Sequence, residues 1–197
     1  MFELSRILAR LCAVAAAGAL AIIGPVSASQ SPISSAPPAI GDQAPDFTLP
    51  GVDGTDVKLS AELQRGPVVL ILLRGWPGYQ CPFCVRQYGD FIRHRDELAS
   101  AGARVIWVYP GLADVQQRAA AFAAGVDAPS HFRLALDASF AFTNAYHLRW
   151  DAKNETTYPS TFVIDRRGVI RWAQISRTHD GRALATDVLT ALAKLSR

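Results

Sequence analysis

Cys81-Pro82-Phe83-Cys84 follows the unbroken apolar run of residues 67–73 and opens a segment of helical periodicity. A run of that kind reads as a strand buried on both faces. The chain must therefore turn from a buried strand into a helix within a few residues, with two thiols at the junction. The first thiol falls at the helix N-terminus, where unpaired N–H groups and the macrodipole favour a thiolate. The second lies one turn on along the same face, close enough to close a disulfide. Cysteines at this spacing in this place read as a redox-active dithiol. The alternative is a plain structural bridge. It would stabilise little, because closing a two-residue gap removes little chain entropy.

The N-terminus reads as an address. Arg6 and Arg10 precede the apolar stretch 11–23, Gly24-Pro25 interrupts it, and Val26-Ser27-Ala28 offers small residues for cleavage. This three-part pattern predicts a signal peptide over residues 1–28, cleaved near Ala28/Ser29, and hence a periplasmic or secreted protein. The alternative is an inner-membrane anchor formed by residues 11–23. With cleavage no stable membrane association is expected, and of the 3 cysteines Cys12 departs, which leaves the Cys81/Cys84 pair. An exported compartment is oxidising. Residues 29–39 are rich in Ser and Pro and read as a linker. Residues 40–197 suit one domain with a full core. The formal charge of +3 falls to about +2 without Arg6, Arg10 and Glu3, too weak a balance to suggest nucleic acid.

Along the domain, strand and helix patterns alternate. Residues 47–49 and 57–59 flank Asp53-Gly54 and predict a hairpin, and Ser60 is placed to cap a short helix. After the dithiol, Val85, Tyr88, Phe91, Ile92, Leu98 and Ala99 form one helical stripe ending at Gly102. Residues 105–109 predict a second buried strand. Helices are expected over 115–124, 140–146 and 183–195, and residues 161–165 and 169–173 form a hairpin around Arg166-Arg167-Gly168. Asp137 and Asp151 fall in loop-like surroundings and need no role beyond turns. The pattern is that of an α/β domain.

Several motifs resemble the alkyl hydroperoxide reductase/thiol-specific antioxidant group, the peroxiredoxin-like (redoxin) branch of the thioredoxin superfamily. They are Gly41-Asp42-Gln43-Ala44-Pro45-Asp46-Phe47-Thr48-Leu49, Asp53-Gly54 with Val57 and Leu59-Ser60, and Tyr158-Pro159-Ser160-Thr161-Phe162-Val163-Ile164-Asp165 with Gly168-Val169-Ile170-Arg171. The resemblance implies a thioredoxin-like fold, a central mixed sheet flanked by helices with an N-terminal β-hairpin extension. It also implies a thiol-based enzyme without a cofactor. Its partners would be protein thiols or disulfides, or hydroperoxides, together with an unknown thiol electron donor.

Two frames fit one stretch. Pro77-Gly78-Tyr79-Gln80-Cys81-Pro82-Phe83-Cys84 resembles the peroxiredoxin pattern Pro-x-x-x-Thr-x-x-Cys, with Cys84 attacking and Cys81 in the threonine slot. The thioredoxin frame instead makes Cys81 the nucleophile and Cys84 the resolving thiol. Pro159 stands where peroxiredoxins carry an arginine and resembles the substrate-positioning proline of thioredoxins. Both departures favour dithiol exchange, with peroxide reduction as the alternative. Pro82 suits the first helical turn. Trp76 and Tyr79 are candidates for an apolar rim that positions substrate, and Arg74 reads as a solvated surface arginine. A metal-binding module is a third reading. His94, His131, His147 and His179 show no paired ligand spacing, and a closed zinc site needs four ligands.

Overall fold

The computed structural model describes residues 35–112 and 114–195, so the expected signal segment and most of the linker lie outside the described residues. The core is a five-stranded mixed sheet in the order β7-β6-β3-β8-β9. Its strands are β3 (Val68–Leu72), β6 (Arg104–Pro110), β7 (Phe132–Asp137), β8 (Ser160–Ile164) and β9 (Ile170–Ile175). β3 runs parallel to β6 and antiparallel to β8, with Val68 opposite both Arg104 and Ile164. A short antiparallel pair, β1 (Thr48–Pro50) and β2 (Asp56–Lys58), forms the N-terminal hairpin.

Central position explains why the apolar run of β3 is continuous: every residue in it is buried. Alternation along a strand then sorts the side chains into two cores. Val69, Ile71 and Leu73 face the cluster that holds Cys81, Cys84 and Trp107. Val68, Leu70 and Leu72 face the cluster that holds Leu59, Phe142 and Tyr146. The first face is covered by α2 (Pro82–Arg93), α3 (Arg95–Ser100), α4 (Val115–Ala123) and α6 (Ala185–Ala193). The second carries α1 (Leu59–Arg65) and α5 (Ala141–Ala145). The remaining pair, β4 (Gly75–Trp76) and β5 (Tyr79–Gln80), is a miniature hairpin between β3 and α2.

Several expectations change. The single stripe ending at Gly102 is two helices broken at His94. There the imidazole Nδ1 lies 2.9 Å from the Asp90 carbonyl, so it competes with the His94 N–H for the same acceptor. Ser60 lies inside α1, and its N–H is taken by the Asp46 carboxylate at 2.9 Å, so Asp46 does the capping. β7 carries Arg133 among its apolar residues and ends in Asp137, which hid it from the periodicity. Asp137 is no turn residue: it is buried, and its carboxylate accepts the N–H groups of Phe142 and Thr143 and the Thr143 hydroxyl at the start of α5. At the N-terminal edge, Pro38 is buried and the Ala39 N–H bonds to Asp42, so the last linker residues pack on the domain.

Candidate active site

The chain leaves β3 with the Leu73 N–H bonded to the Val108 carbonyl at 3.0 Å and enters the β4–β5 hairpin at once. Its turn, Trp76-Pro77-Gly78-Tyr79, has Pro followed by Gly at φ +80°, the requirement of a type II turn. That turn places Trp76 opposite Tyr79, and their rings stack at 4.1 Å between centroids. Cys81 is the N-cap residue of α2 and Pro82 occupies its first turn, as the residue pattern predicts. Both cysteines are free thiols with no exposed surface.

Three groups surround the sulfurs. The Arg74 N–H donates to Cys84 Sγ at 3.3 Å, and that thiol lies 3.4 Å from the Arg74 carbonyl as donor. Arg182, from the segment between β9 and α6, places Nη2 3.4 Å from both Sγ atoms. Arg74 Nη1 lies 4.0 Å from Cys81 Sγ.

These contacts polarise the pair. The Cys84 thiol and N–H both donate to the Cys81 sulfur, and the Arg182 charge adds to them. Against the opposing effect of burial they hold Cys81 down to about 4, far below an ordinary thiol. Cys84 moves the other way: burial pushes it well above the ordinary value, and its hydrogen bond to Cys81 and the thiolate charge there reinforce the rise. At neutral pH the site therefore holds one thiolate, at Cys81, and one protonated thiol, at Cys84.

Arg74 is not the solvated arginine expected from its position. Its side chain is 3 % exposed and pairs with Glu155 through Nε and through Nη2, the latter at 2.8 Å. Burial alone would lower its affinity for a proton, but the Glu155 carboxylate more than compensates and keeps it charged. Glu155 in turn stays ionised, because hydrogen bonds from Arg74 and His179 outweigh its own burial. His179 Nε2 reaches the same carboxylate oxygen at 2.8 Å. The guanidinium of Arg74 lies 4.7 Å from the Trp76 ring centroid and 5.8 Å from that of Trp150, which itself stacks on Tyr158. Trp76 thus meets the dithiol through Arg74.

Pro159 is buried immediately before β8, and its carbonyl accepts the Ser176 N–H at 2.9 Å. The next residue, Ser160, pairs with Leu72, which brings Pro159 to the end of β3 from which Arg74 leads to Cys84. Of the histidines weighed as metal ligands, His94 and His131 face backbone carbonyls and His179 bonds Glu155. Arg182, Glu155 and His179 were not recognisable as site residues, since none carries a local motif. They reach Arg74 or the dithiol from loops 81 to 105 residues away along the chain.

Buried thiolate, protonated partner and two guanidiniums are a set suited to two-electron thiol chemistry. Comparison with known proteins agrees. A protein of Mycobacterium tuberculosis assigned as a peroxiredoxin is 32% identical over 145 residues, 68% of this chain and 83% of that protein. The chloroplastic peroxiredoxin Q of Triticum aestivum is 29% identical over 142 residues, 67% of this chain and 57% of its own length. Among solved structures, peroxidoxin BcpB of Mycobacterium tuberculosis superposes with a TM-score of 0.66 at 25% identity, over 80% of this chain and 98% of that one. A thiol:disulfide interchange protein DsbE of Chlorobium tepidum gives 0.58 at 28% identity, over 79% and 99%. Residues 40–173 match the model of the AhpC/TSA family. The chain belongs to that family, as a thiol-dependent oxidoreductase of the peroxiredoxin-like branch of the thioredoxin superfamily.

Proposed function

We propose that this protein exchanges dithiol for disulfide, with Cys81 as the attacking residue and Cys84 as the resolving one. The observation that carries this reading is the opposite polarisation of the two sulfurs. The thiolate sits on Cys81, whereas the residue that the peroxidase frame would use, Cys84, is held protonated. In the first step Cys81 S⁻ attacks one sulfur of a disulfide, a mixed disulfide forms and a thiolate leaves. In the second, Cys84 loses its proton to a departing thiolate and attacks Cys81. The internal disulfide closes and the second thiol is released. Two electrons pass to the substrate, and the reverse sequence oxidises a dithiol.

Trp76 and Pro159 serve as positioning residues in this reading. Trp76 packs against the Arg74 guanidinium, and Pro159 borders the strand end that leads to the dithiol.

Peroxide reduction is the second reading, favoured by the peroxiredoxin assignments of the relatives. Cys84, once deprotonated, would then displace alkoxide or hydroxide from a hydroperoxide and become a sulfenic acid. Cys81 would condense with it, closing the same disulfide with loss of water. Residues 1–28 act as an export signal in either case. Among the described residues no helix is long and apolar enough to cross a membrane.

Stopped-flow tryptophan fluorescence of the reduced protein, mixed in parallel with hydrogen peroxide and with a small disulfide, tests the choice. Rapid disulfide exchange beside a peroxide reaction no faster than that of a free thiol is expected. A peroxide reaction far faster than a free thiol's would establish the peroxidase.

A further inference from the structure

Neither sulfur of the dithiol has exposed surface, and Arg74 and the Arg182 side chain both lie against the pair. Arg74 is buried and Arg182 only half-buried, so Arg182 is the outer of the two and the one a substrate coming from solvent displaces first. Beside the dithiol is a cavity of about 270 Å³ whose walls include Phe83, Arg86, Gln87, Asp90, Arg182 and Leu184. Phe83 stands between the two cysteines in the chain, and Arg86 packs its guanidinium 4.5 Å from the Phe83 ring centroid.

The cavity's charge is one-sided. Asp90 is its carboxylate, and it is already committed to Arg93 at 3.0 Å and to the Ala185 N–H at 2.8 Å. Arg86 and Arg182 remain as cations facing it. Two residues of the wall also carry unmet hydrogen bonds, on atoms buried behind the cavity surface. Nε and Nη1 of Arg182 are buried with no partner, and so is Oε1 of Gln87. Buried polar groups without partners are costly, and these are two charged donors beside one amide acceptor. A carboxylate answers the first and an amide N–H the second. Phe83 and Leu184 offer apolar surface alongside.

We propose that this cavity binds the carboxylate end of a small, peptide-like thiol or disulfide, and that the bound carboxylate draws Arg182 off the sulfurs and uncovers Cys81. The proposal rests on Cys81 being the attacking thiolate and adds the substrate class: acidic, of low molecular weight, with an amide next to the carboxylate. Substrate binding and exposure of the nucleophile then become one event. Neutral disulfides would meet a covered thiol.

Alkylation of the reduced protein by iodoacetate and by iodoacetamide, read by mass spectrometry at Cys81, tests this without turnover. The two reagents differ in one carboxylate. The iodoacetate-to-iodoacetamide rate ratio is expected to exceed that of 2-mercaptoethanol by about tenfold, the scale on which local charge alters encounter rates. Arg86→Gln and Arg182→Met should bring the ratio back to that of the free thiol. Arg177→Gln, which removes a cation outside the cavity, should leave it unchanged. A ratio equal to that of 2-mercaptoethanol would overturn the proposal. So would an equal loss in Arg177→Gln, which would mean a diffuse field. If neither reagent modifies Cys81, the nucleophile assignment fails, and the cavity is judged separately by titrating N-acetylglycine against the Gln87 side-chain amide in NMR spectra. Saturable shifts that vanish in Arg86→Gln support the cavity, and their absence rejects it.

Discussion

The backbone of Arg74 brackets the sulfur of Cys84, its N–H donating at 3.3 Å and its carbonyl accepting at 3.4 Å. The same residue sends its guanidinium to Cys81 and to Glu155. Burial and the neighbouring Cys81 keep Cys84 a thiol even though the Arg74 N–H by itself favours its thiolate, and Cys81 is left to carry the charge. A division of labour between two chemically identical side chains follows from the deeper burial of Cys84 and from the hydrogen bonds it donates to Cys81.

Single replacements should separate the roles. Cys81→Ser is expected to abolish reaction with disulfides altogether. Cys84→Ser is expected to attack normally and then stall as a mixed disulfide on Cys81, visible as a mass increment that dithiothreitol removes. Full activity in both variants would discard the dithiol assignment.

The depressed Cys81 pKa has a consequence for stability. Its folded value of about 4 lies below the ordinary 9.0, so the unfolded state binds more protons between them and stability rises with pH across that window. The reduced protein should therefore lose stability as pH falls from about 9 toward 4, a loss the disulfide form does not share. Cys84, raised in the fold, works oppositely: its share is full below the ordinary thiol value and is lost as pH climbs through its folded value. Urea unfolding of both redox forms at several pH values reads the difference. Parallel curves would contradict a thiolate at Cys81. In Cys84→Ala, which removes the side-chain donor, the thiolate absorbance near 240 nm should develop at higher pH than in the unmodified protein.

Arg74 and Glu155 form a pair whose side chains are 3 % and 9 % exposed. Replacing Arg74 by Met leaves a buried carboxylate without its cation and should cost about 3–5 kcal/mol. The double variant with Glu155→Gln should recover much of that loss, since the uncompensated charge is then gone. A double-mutant cycle from denaturant midpoints measures the coupling. Additive effects would mean the two are not energetically paired.

Asp137→Ala removes the acceptor of three donors at the start of α5, two of them backbone N–H groups. Hydrogen bonds to a charged group are worth about 1.5–3 kcal/mol each at most, so the expected loss of stability is roughly 2–4 kcal/mol. Asp137→Asn should retain part of it. Thermal unfolding distinguishes these from a turn residue, whose replacement would change the midpoint little.

Much of the fold was legible in the residues. The run at 67–73 and the periodicity of residues 85–99 are local patterns, and each element is built by short-range sterics and by burial of its apolar side chains. Strand β7 escaped because Arg133 interrupts its apolar run. In the fold that arginine reaches Glu62 and Asp53 across the hairpin, contacts no periodicity encodes.

By itself, then, the amino-acid order determined where the two thiols stand: after a buried strand, at the start of a helix, with Pro82 between them as its first residue. What only tertiary structure decided is which sulfur carries the charge and what reaches it. Arg182 and Glu155 arrive from segments 98 and 81 residues away from the positions they contact. Arg74 is buried because Glu155, Trp76 and Trp150 close over it. Charge interactions and burial depend on distance in space, and the order of residues along a chain constrains that distance only once the sheet has brought its loops together.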